Sequence, residues 1–307
     1  MVAENLLKTN LNGYILKNPI LTASGTYGYA DEYEDYVDVS NLGGVVTKAI
    51  SLPPRDGNKH LRIAETEAGM INSIGLENIG IDRFINEKLP ILKEKNINFI
   101  VNVAGSSIEE YVEVAKKCES NQVGAIELNV SCPNVKSGCL EFGTDEKSLY
   151  DLVSMVRNVY NGFLIVKLTP NVTSVEKLGI AAEKAGVNAI SAINTLKGTS
   201  IKLDFINGKF IKTIVQGGYS GVGVKPVALN VVRRLSSAVS IPIIGLGGIE
   251  KLEDILEFFS VGAEAVQIGT ANFKYPDIAE RLVIELSEFM KKHKFTSLDE
   301  LKKELRA

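Results

Sequence analysis

A cysteine stands between two asparagines in Asn129-Val130-Ser131-Cys132-Pro133-Asn134, directly behind the strand-like run of Ala125, Ile126 and Leu128. A thiol in a loop at a strand end can act as nucleophile or general base, provided its proton leaves near neutral pH. In other settings the same residue is a small buried hydrophobe, and position alone leaves both readings open. The chain has two histidines, His60 and His293, and neither is near Cys132 in sequence, which weighs against a Cys–His protease. A base that takes one proton from carbon and returns it to solvent needs no such partner.

Other residues with chemical potential share that position behind an apolar run. Lys48 and Lys167 sit in runs that read as buried strands. An inward ammonium must meet an anion or an electron-rich group, whereas a strand-end lysine can also snorkel to solvent. Asn72, Asn102, Asn129, Asn134 and Asn194 offer donors and acceptors together. That mixture suits a ligand with alternating N–H and C=O edges, such as a pyrimidine or a flavin. Each asparagine taken singly also suits a turn, and 71–78 (INSIGLEN) reads as a loop. The glycine-rich IGLGGI and QIGTA each close a late apolar run and precede a helical segment. Backbone N–H groups at such turns bind phosphate, although glycine also simply permits a tight turn. GGYSGVG (217–223) reads as a flexible lid or a third phosphate contact. None of these fits G-x-G-x-x-G after a first strand, which disfavours a dinucleotide fold of that kind.

Composition bounds the class. The 307 residues are 45% hydrophobic, ample for a large core, and the formal net charge of -3 provides no basic surface for nucleic acid or an anionic membrane. The start, MVAENLLKTNLNGYILKNP, lacks a long apolar region after basic residues, so no signal peptide is expected. No run approaches the ~18 apolar residues of a membrane helix. Three cysteines, Cys118, Cys132 and Cys139, suggest reduced thiols in a cytoplasmic protein and no metal centre.

The elements that must position these residues alternate in texture. Short β-branched runs fall at 19–24, 43–50, 98–105, 125–131, 163–170, 189–195, 242–248 and 265–271, with segments of helical period between them. Helices are expected from Ser106 or Ser107, from Thr173 or Ser174 to Gly186, over 229–240 and 249–262, and from Pro276 as a first-turn residue. Eight such units predict an α/β protein with a parallel sheet covered on all sides. The expectation is a (β/α)8 barrel spanning 1–307 as one domain, with inserted segments after strands 2 and 6 at 51–77 and 196–225. An open doubly wound sheet is the competing fold. In a barrel, all the strand-end residues named above would share the C-terminal mouth.

Nine motifs in order, NPILTASGTYGY, TKAI, NSIGLEN, ELNVSCPNVKSG, VKLTPN, INT, GGYSG, GLGGI and IGTA, resemble those of dihydroorotate dehydrogenases over roughly 12–290. The resemblance implies an FMN-binding (β/α)8 barrel that oxidises dihydroorotate to orotate in pyrimidine biosynthesis. It implies Cys132 as the base for the C5 proton, with hydride passing from C6 to the flavin. The substrate would be held by Lys48, Asn72, Ser73, Ile74, Gly75, Leu76, Asn129, Asn134, Asn194 and Thr195. The flavin would be bordered by Ala23, Ser24, Lys48, Ala49, Asn102, Asn129, Lys167 and Ile193, with Gly221, Gly247, Gly248, Gly269 and Thr270 at its ribityl and phosphate end.

Cysteine as base marks the soluble class of that family, and NVKSGCLEFGTD resembles the loop of its NAD-linked subclass. That subclass works with a second subunit carrying FAD and a [2Fe-2S] cluster, as two plus two chains; this chain has too few cysteines for such a cluster itself. A fumarate-reducing homodimer is the alternative, followed by a non-redox phosphate-binding barrel enzyme and a non-catalytic scaffold. Cys139 stands where the resemblance leads one to expect glycine, and its side chain would restrict the loop's motion. Tyr219 in GGYSG replaces a more usual apolar residue.

Overall fold

The computed structural model describes residues 6–33, 36–59, 61–131 and 142–307. Cys132, Asn134 and Cys139 lie outside the described residues. Eight strands close into a barrel: β1 (Ile20–Thr22), β2 (Gly44–Val46), β3 (Phe99–Val103), β4 (Ala125–Asn129), β5 (Phe163–Leu168), β6 (Ala189–Ala192), β7 (Ile243–Leu246) and β8 (Ala263–Ile268). Each pairs in parallel with its sequence neighbours, and β8 returns to β1. This is the (β/α)8 barrel, and every one of the eight apolar runs contributes a strand. The runs are nearly unbroken because both faces are covered; in β5 all six residues are buried.

Helices follow the strands around the outside. Ile108–Ser120 starts at Ser107, whose hydroxyl accepts the N–H of Glu110. Glu146–Arg157, with Asp145 accepting the N–H of Ser148 at 2.8 Å, lies between β4 and β5. Val175–Lys184 follows β5, Lys225–Ser236 follows β6 and Leu252–Ser260 follows β7. Two start signals behave differently from the sequence expectation. Ser174 begins its helix without a side-chain cap, because its hydroxyl bonds the Glu176 carboxylate at 3.1 Å. Pro276 precedes the helix Ile278–Lys292 and stays outside its first turn; its carbonyl accepts the Tyr27 hydroxyl.

The extra segments close the two barrel ends. An antiparallel hairpin, Thr9–Leu11 with Tyr14–Leu16, seals the N-terminal end. Leu11 and Leu16 are fully buried against Leu21, Val46, Ile100, Ile165 and Ile244. Tyr14 stacks on Phe163 with centroids 4.6 Å apart and donates to Asn98 Oδ1 at 2.8 Å. At the opposite end both insertions combine into one antiparallel four-stranded sheet, ordered Leu196–Ile206, Lys209–Ser220, Gly69–Asn72, Ile63–Thr66. The far half of its long hairpin carries exposed Ile201, Leu203, Phe205, Phe210 and Ile214 on one face, as the 2-residue side-chain period and the pairing register require.

Candidate active site

The barrel interior is polar beneath the mouth. Glu127 in β4 is wholly buried, and its carboxylate accepts from Asn102 Nδ2 (2.7 Å), Ser191 Oγ (2.7 Å) and Gln267 Nε2 (2.8 Å). Lys167 Nζ stands 3.8 Å from Glu127 Oε1. An inward lysine was expected to meet an anion, and part of that anion is this glutamate, which sequence reading passed over. Strand alternation places Glu127 inward, but the partners come from four other strands, so no local pattern announces the cluster.

Above this floor lies a cavity of about 340 Å³. Ala23, Ser24, Lys48, Ile74, Lys167, Ile193, Gly221, Gly247, Gly248, Gly269 and Thr270 line it. A second cavity, sharing Asn72, Asn194 and Thr195 with the first, is lined also by Ser73, Gly75, Leu76 and Asn129. Ala49 and Asn102 line neither: Ala49 is buried, and the Asn102 amide is drawn to Glu127. The strand ends and the four-stranded sheet thus meet at one mouth, which no strand-by-strand reading of 51–77 and 196–225 specified.

The asparagines hold each other. Asn194 Nδ2 donates to Asn129 Oδ1 at 3.1 Å, and Asn194 Oδ1 accepts the N–H of Thr195 at 2.8 Å. Asn72 Nδ2 reaches the carbonyl of Gly218 at 3.2 Å, tying the two insertions together. Asn171, unremarked in the sequence, bonds Thr169 Oγ1 and the carbonyl of Thr195, each at 2.9 Å, and accepts the N–H of Lys197 at 2.9 Å. Asn72 ends a strand, and the following residues are held from outside: Asn58 Nδ2 donates to the Ser73 carbonyl at 3.0 Å, and the N–H of Ser73 reaches Arg62 O at 2.7 Å. Asn58 and Arg62 are therefore supports that only the fold reveals.

The glycine end is a cradle. Gly247 and Gly248 have φ of +130° and +77°, open to glycine and strained for other residues. A Cβ on Gly248 would stand 2.8 Å from Lys225 Cβ and 3.0 Å from the carbonyl of Gly221. The N–H groups of Gly248 and Thr270 donate to no acceptor among the described residues. Asp254 steadies this turn, accepting from the N–H of Glu250 (2.8 Å) and Lys251 (3.0 Å). It also pairs with Lys225 Nζ at 2.7 Å, while Glu257 pairs at 2.8 Å. Burial pulls the Lys225 ammonium toward neutrality, but those two carboxylates outweigh it and hold its pKa above the ordinary value. Thr270 Oγ1 donates to Ser220 Oγ at 2.8 Å, joining the cradle to the long hairpin. Of the thiols, Cys118 is buried in its helix, and desolvation pushes its pKa up to about 12, so it is no nucleophile at neutral pH.

The model of the family "Dihydroorotate dehydrogenase" matches residues 6–290. The chain belongs to the dihydroorotate dehydrogenase family. It is 47% identical over 296 residues to the "Dihydroorotate dehydrogenase B (NAD(+)), catalytic subunit" of Parabacteroides distasonis, covering 96% of each chain. Proteins with the same name in Geotalea daltonii (45% over 301 residues, 98% of each chain) and Bacteroides thetaiotaomicron (44% over 296 residues, 96% of this chain and 97% of the relative) are similarly close. Against that family background the cradle can be tested for an FMN phosphate. Unpartnered N–H groups at glycine turns after β7 and β8 fit an anion. The apolar walls of Ala23, Ile193 and Leu246 fit a flat ring, and Asn102 Oδ1, buried without a partner, leaves an acceptor in the floor. The residues present fit the cofactor. Among the described residues no helix is long and apolar enough to cross a membrane.

Proposed function

We propose that these joined cavities are the active site of a dihydroorotate dehydrogenase of the NAD-linked kind. The chain is an oxidoreductase of pyrimidine biosynthesis, converting dihydroorotate to orotate. The observation that carries the site assignment is the junction itself. An asparagine-lined cavity and a glycine-ended one share Asn72, Asn194 and Thr195, and Lys48 and Lys167 line the glycine-ended one. The polar cavity suits a pyrimidine, whose edges alternate donor and acceptor. The glycine-ended one suits FMN, which when bound supplies the hydride acceptor.

This chain's residues divide the work as follows. Asn72, Asn129, Asn134, Asn194 and Thr195 hold the pyrimidine edges, with Ser73, Ile74, Gly75 and Leu76 closing one side. Lys48, which has no ion-pair partner among the described residues, meets the substrate carboxylate. Cys132 removes the C5 proton and releases it to solvent. Ala23, Ser24 and Ile193 would border the ring, with Ala49 and Asn102 buried outside the cavity lining; Lys167 would supply positive charge to the reduced ring, and Gly221, Gly247, Gly248, Gly269 and Thr270 would hold the ribityl phosphate. A partner subunit carrying FAD and a [2Fe-2S] cluster would take the electrons onward, two of each chain assembling in the cytoplasm. The relatives' names, NAD(+) and catalytic subunit, favour this acceptor route over fumarate.

The test is the spectrum of the purified chain. A flavin absorption that bleaches with anaerobic dihydroorotate, and recovers with neither NAD+ nor fumarate until the partner is added, is expected. A protein that no added FMN turns yellow overturns the reading. Cys132→Ser should lose most turnover at neutral pH because a hydroxyl is a far weaker base than a thiolate; unchanged turnover would remove the role given to Cys132.

A further inference from the structure

The barrel floor holds a charge that the reaction above leaves without a role. Glu127 has no exposed surface, and three donors from β3, β6 and β8 converge on its carboxylate at 2.7–2.8 Å. Lys167 from β5, at 3.8 Å, is its cationic neighbour among the described residues. Burying a carboxylate is costly unless it is paired and hydrogen-bonded throughout, and apolar packing at a barrel centre is the easier solution. A fold that instead gathers five polar side chains from five strands holds them for what lies above. Lys167 lines the cavity, so its ammonium links the buried carboxylate to the ligand space.

The two amides are oriented by the same carboxylate. Asn102 and Gln267 each turn an NH2 to Glu127, and the opposite oxygens, Asn102 Oδ1 and Gln267 Oε1, are both buried without partners. A neutral amide at position 127 would offer an NH2 of its own to at least one of the three donors. Donor would face donor, and an amide would have to flip.

We propose that Glu127 is a positioning and charge-compensating residue for the redox chemistry. It fixes the Lys167 ammonium and the Asn102 amide beneath the flavin, and its charge offsets that of the lysine. The inference rests on the flavin reading above. An uncompensated ammonium favours the reduced, more negative ring and raises its potential; a carboxylate behind it lowers the potential, toward an acceptor as weakly oxidising as NAD+.

The test is the reduction potential of FMN bound to the wild-type chain, Glu127→Gln, Lys167→Gln and the double variant, by anaerobic spectroelectrochemical titration. Glu127→Gln should favour reduced over oxidised FMN by about tenfold, an upward shift of about 30 mV for a two-electron couple. Lys167→Gln should shift it downward, and the double variant should lie above Lys167→Gln. If Glu127→Gln fails to fold, the comparison of Lys167→Gln with the double variant, where two neutral amides face each other, carries the same test. A purely structural role would lower Tm and leave the potential unmoved. FMN bound at an unchanged or lower potential after loss of Glu127, in either background, overturns this inference alone. A wild-type chain that binds no FMN overturns the flavin reading and this inference with it.

Discussion

Gly248→Ala probes the cradle most directly. Gly248 has φ +77°, a region that costs an L-residue about 1–2 kcal/mol. Its new methyl would also meet Lys225 Cβ at 2.8 Å, Gly221 O at 3.0 Å and Lys225 N at 3.1 Å. Lys225 cannot easily give way, since it is held between Asp254 and Glu257. The strain therefore passes to the turn and to Gly221, both part of the proposed phosphate end. If about 1.4–2.7 kcal/mol of it is expressed in binding, FMN affinity falls about 10- to 100-fold. The assay is fluorescence quenching of FMN, and of riboflavin, by apoprotein. Because riboflavin lacks the phosphate, its affinity should fall much less. Gly124→Ala, with nothing within 4 Å of the added methyl, is the control for handling and folding. Equal FMN affinity in Gly248→Ala and Gly124→Ala, or equal losses for FMN and riboflavin, would refute a phosphate site at this turn.

Leu16→Ala empties a fully buried site where the hairpin plugs the N-terminal end of the barrel, and should cost about 2–5 kcal/mol in denaturant unfolding; a loss under 1 kcal/mol would mean the hairpin is not part of the cooperative core. Native thiol labelling should spare Cys118 until denaturant is added, given its burial and raised pKa, while orotate should protect Cys132; rapid native labelling of Cys118 would contradict its placement. Burial alone would push the Glu264 carboxyl up, but Lys302 and Arg306, at 2.8 and 2.9 Å, outweigh it and hold its pKa below the ordinary value. The stabilisation is thus complete above the unfolded pKa of about 4.3 and is lost as pH falls through the folded value. Glu264→Gln should flatten the acid limb of a stability–pH curve, and an unchanged limb would show the pairing to be energetically silent.

The barrel was legible because its cause is local. Strands buried on both faces must be apolar along their length, and the helices between them must carry one apolar stripe, so eight runs such as Phe163–Leu168 could be marked without any contact being known. The strand-end residues were legible for the same reason: Lys48, Asn129, Asn194, Gly247 and Thr270 follow apolar runs, and a closed parallel barrel brings all such ends to one mouth. The N-terminal hairpin and the helix Leu298–Arg306 were not marked: strands of three residues are too short to show a period, and the helix carries its apolar stripe on a few leucines, Leu298 and Leu301 among them, in an otherwise charged segment.

Sequence by itself, then, determined the fold class, the family resemblance and the residue types at the mouth, because burial and turn chemistry act within a few residues of chain. Only tertiary structure joined 63–72 to 196–220 as one sheet over that mouth, set Asn58 and Arg62 behind Ser73, and gathered Asn102, Glu127, Lys167, Ser191 and Gln267 into one buried cluster. Those arrangements depend on barrel closure and strand register, which bring together residues as far apart as Glu127 and Gln267, and no local pattern encodes which distant side chains will meet.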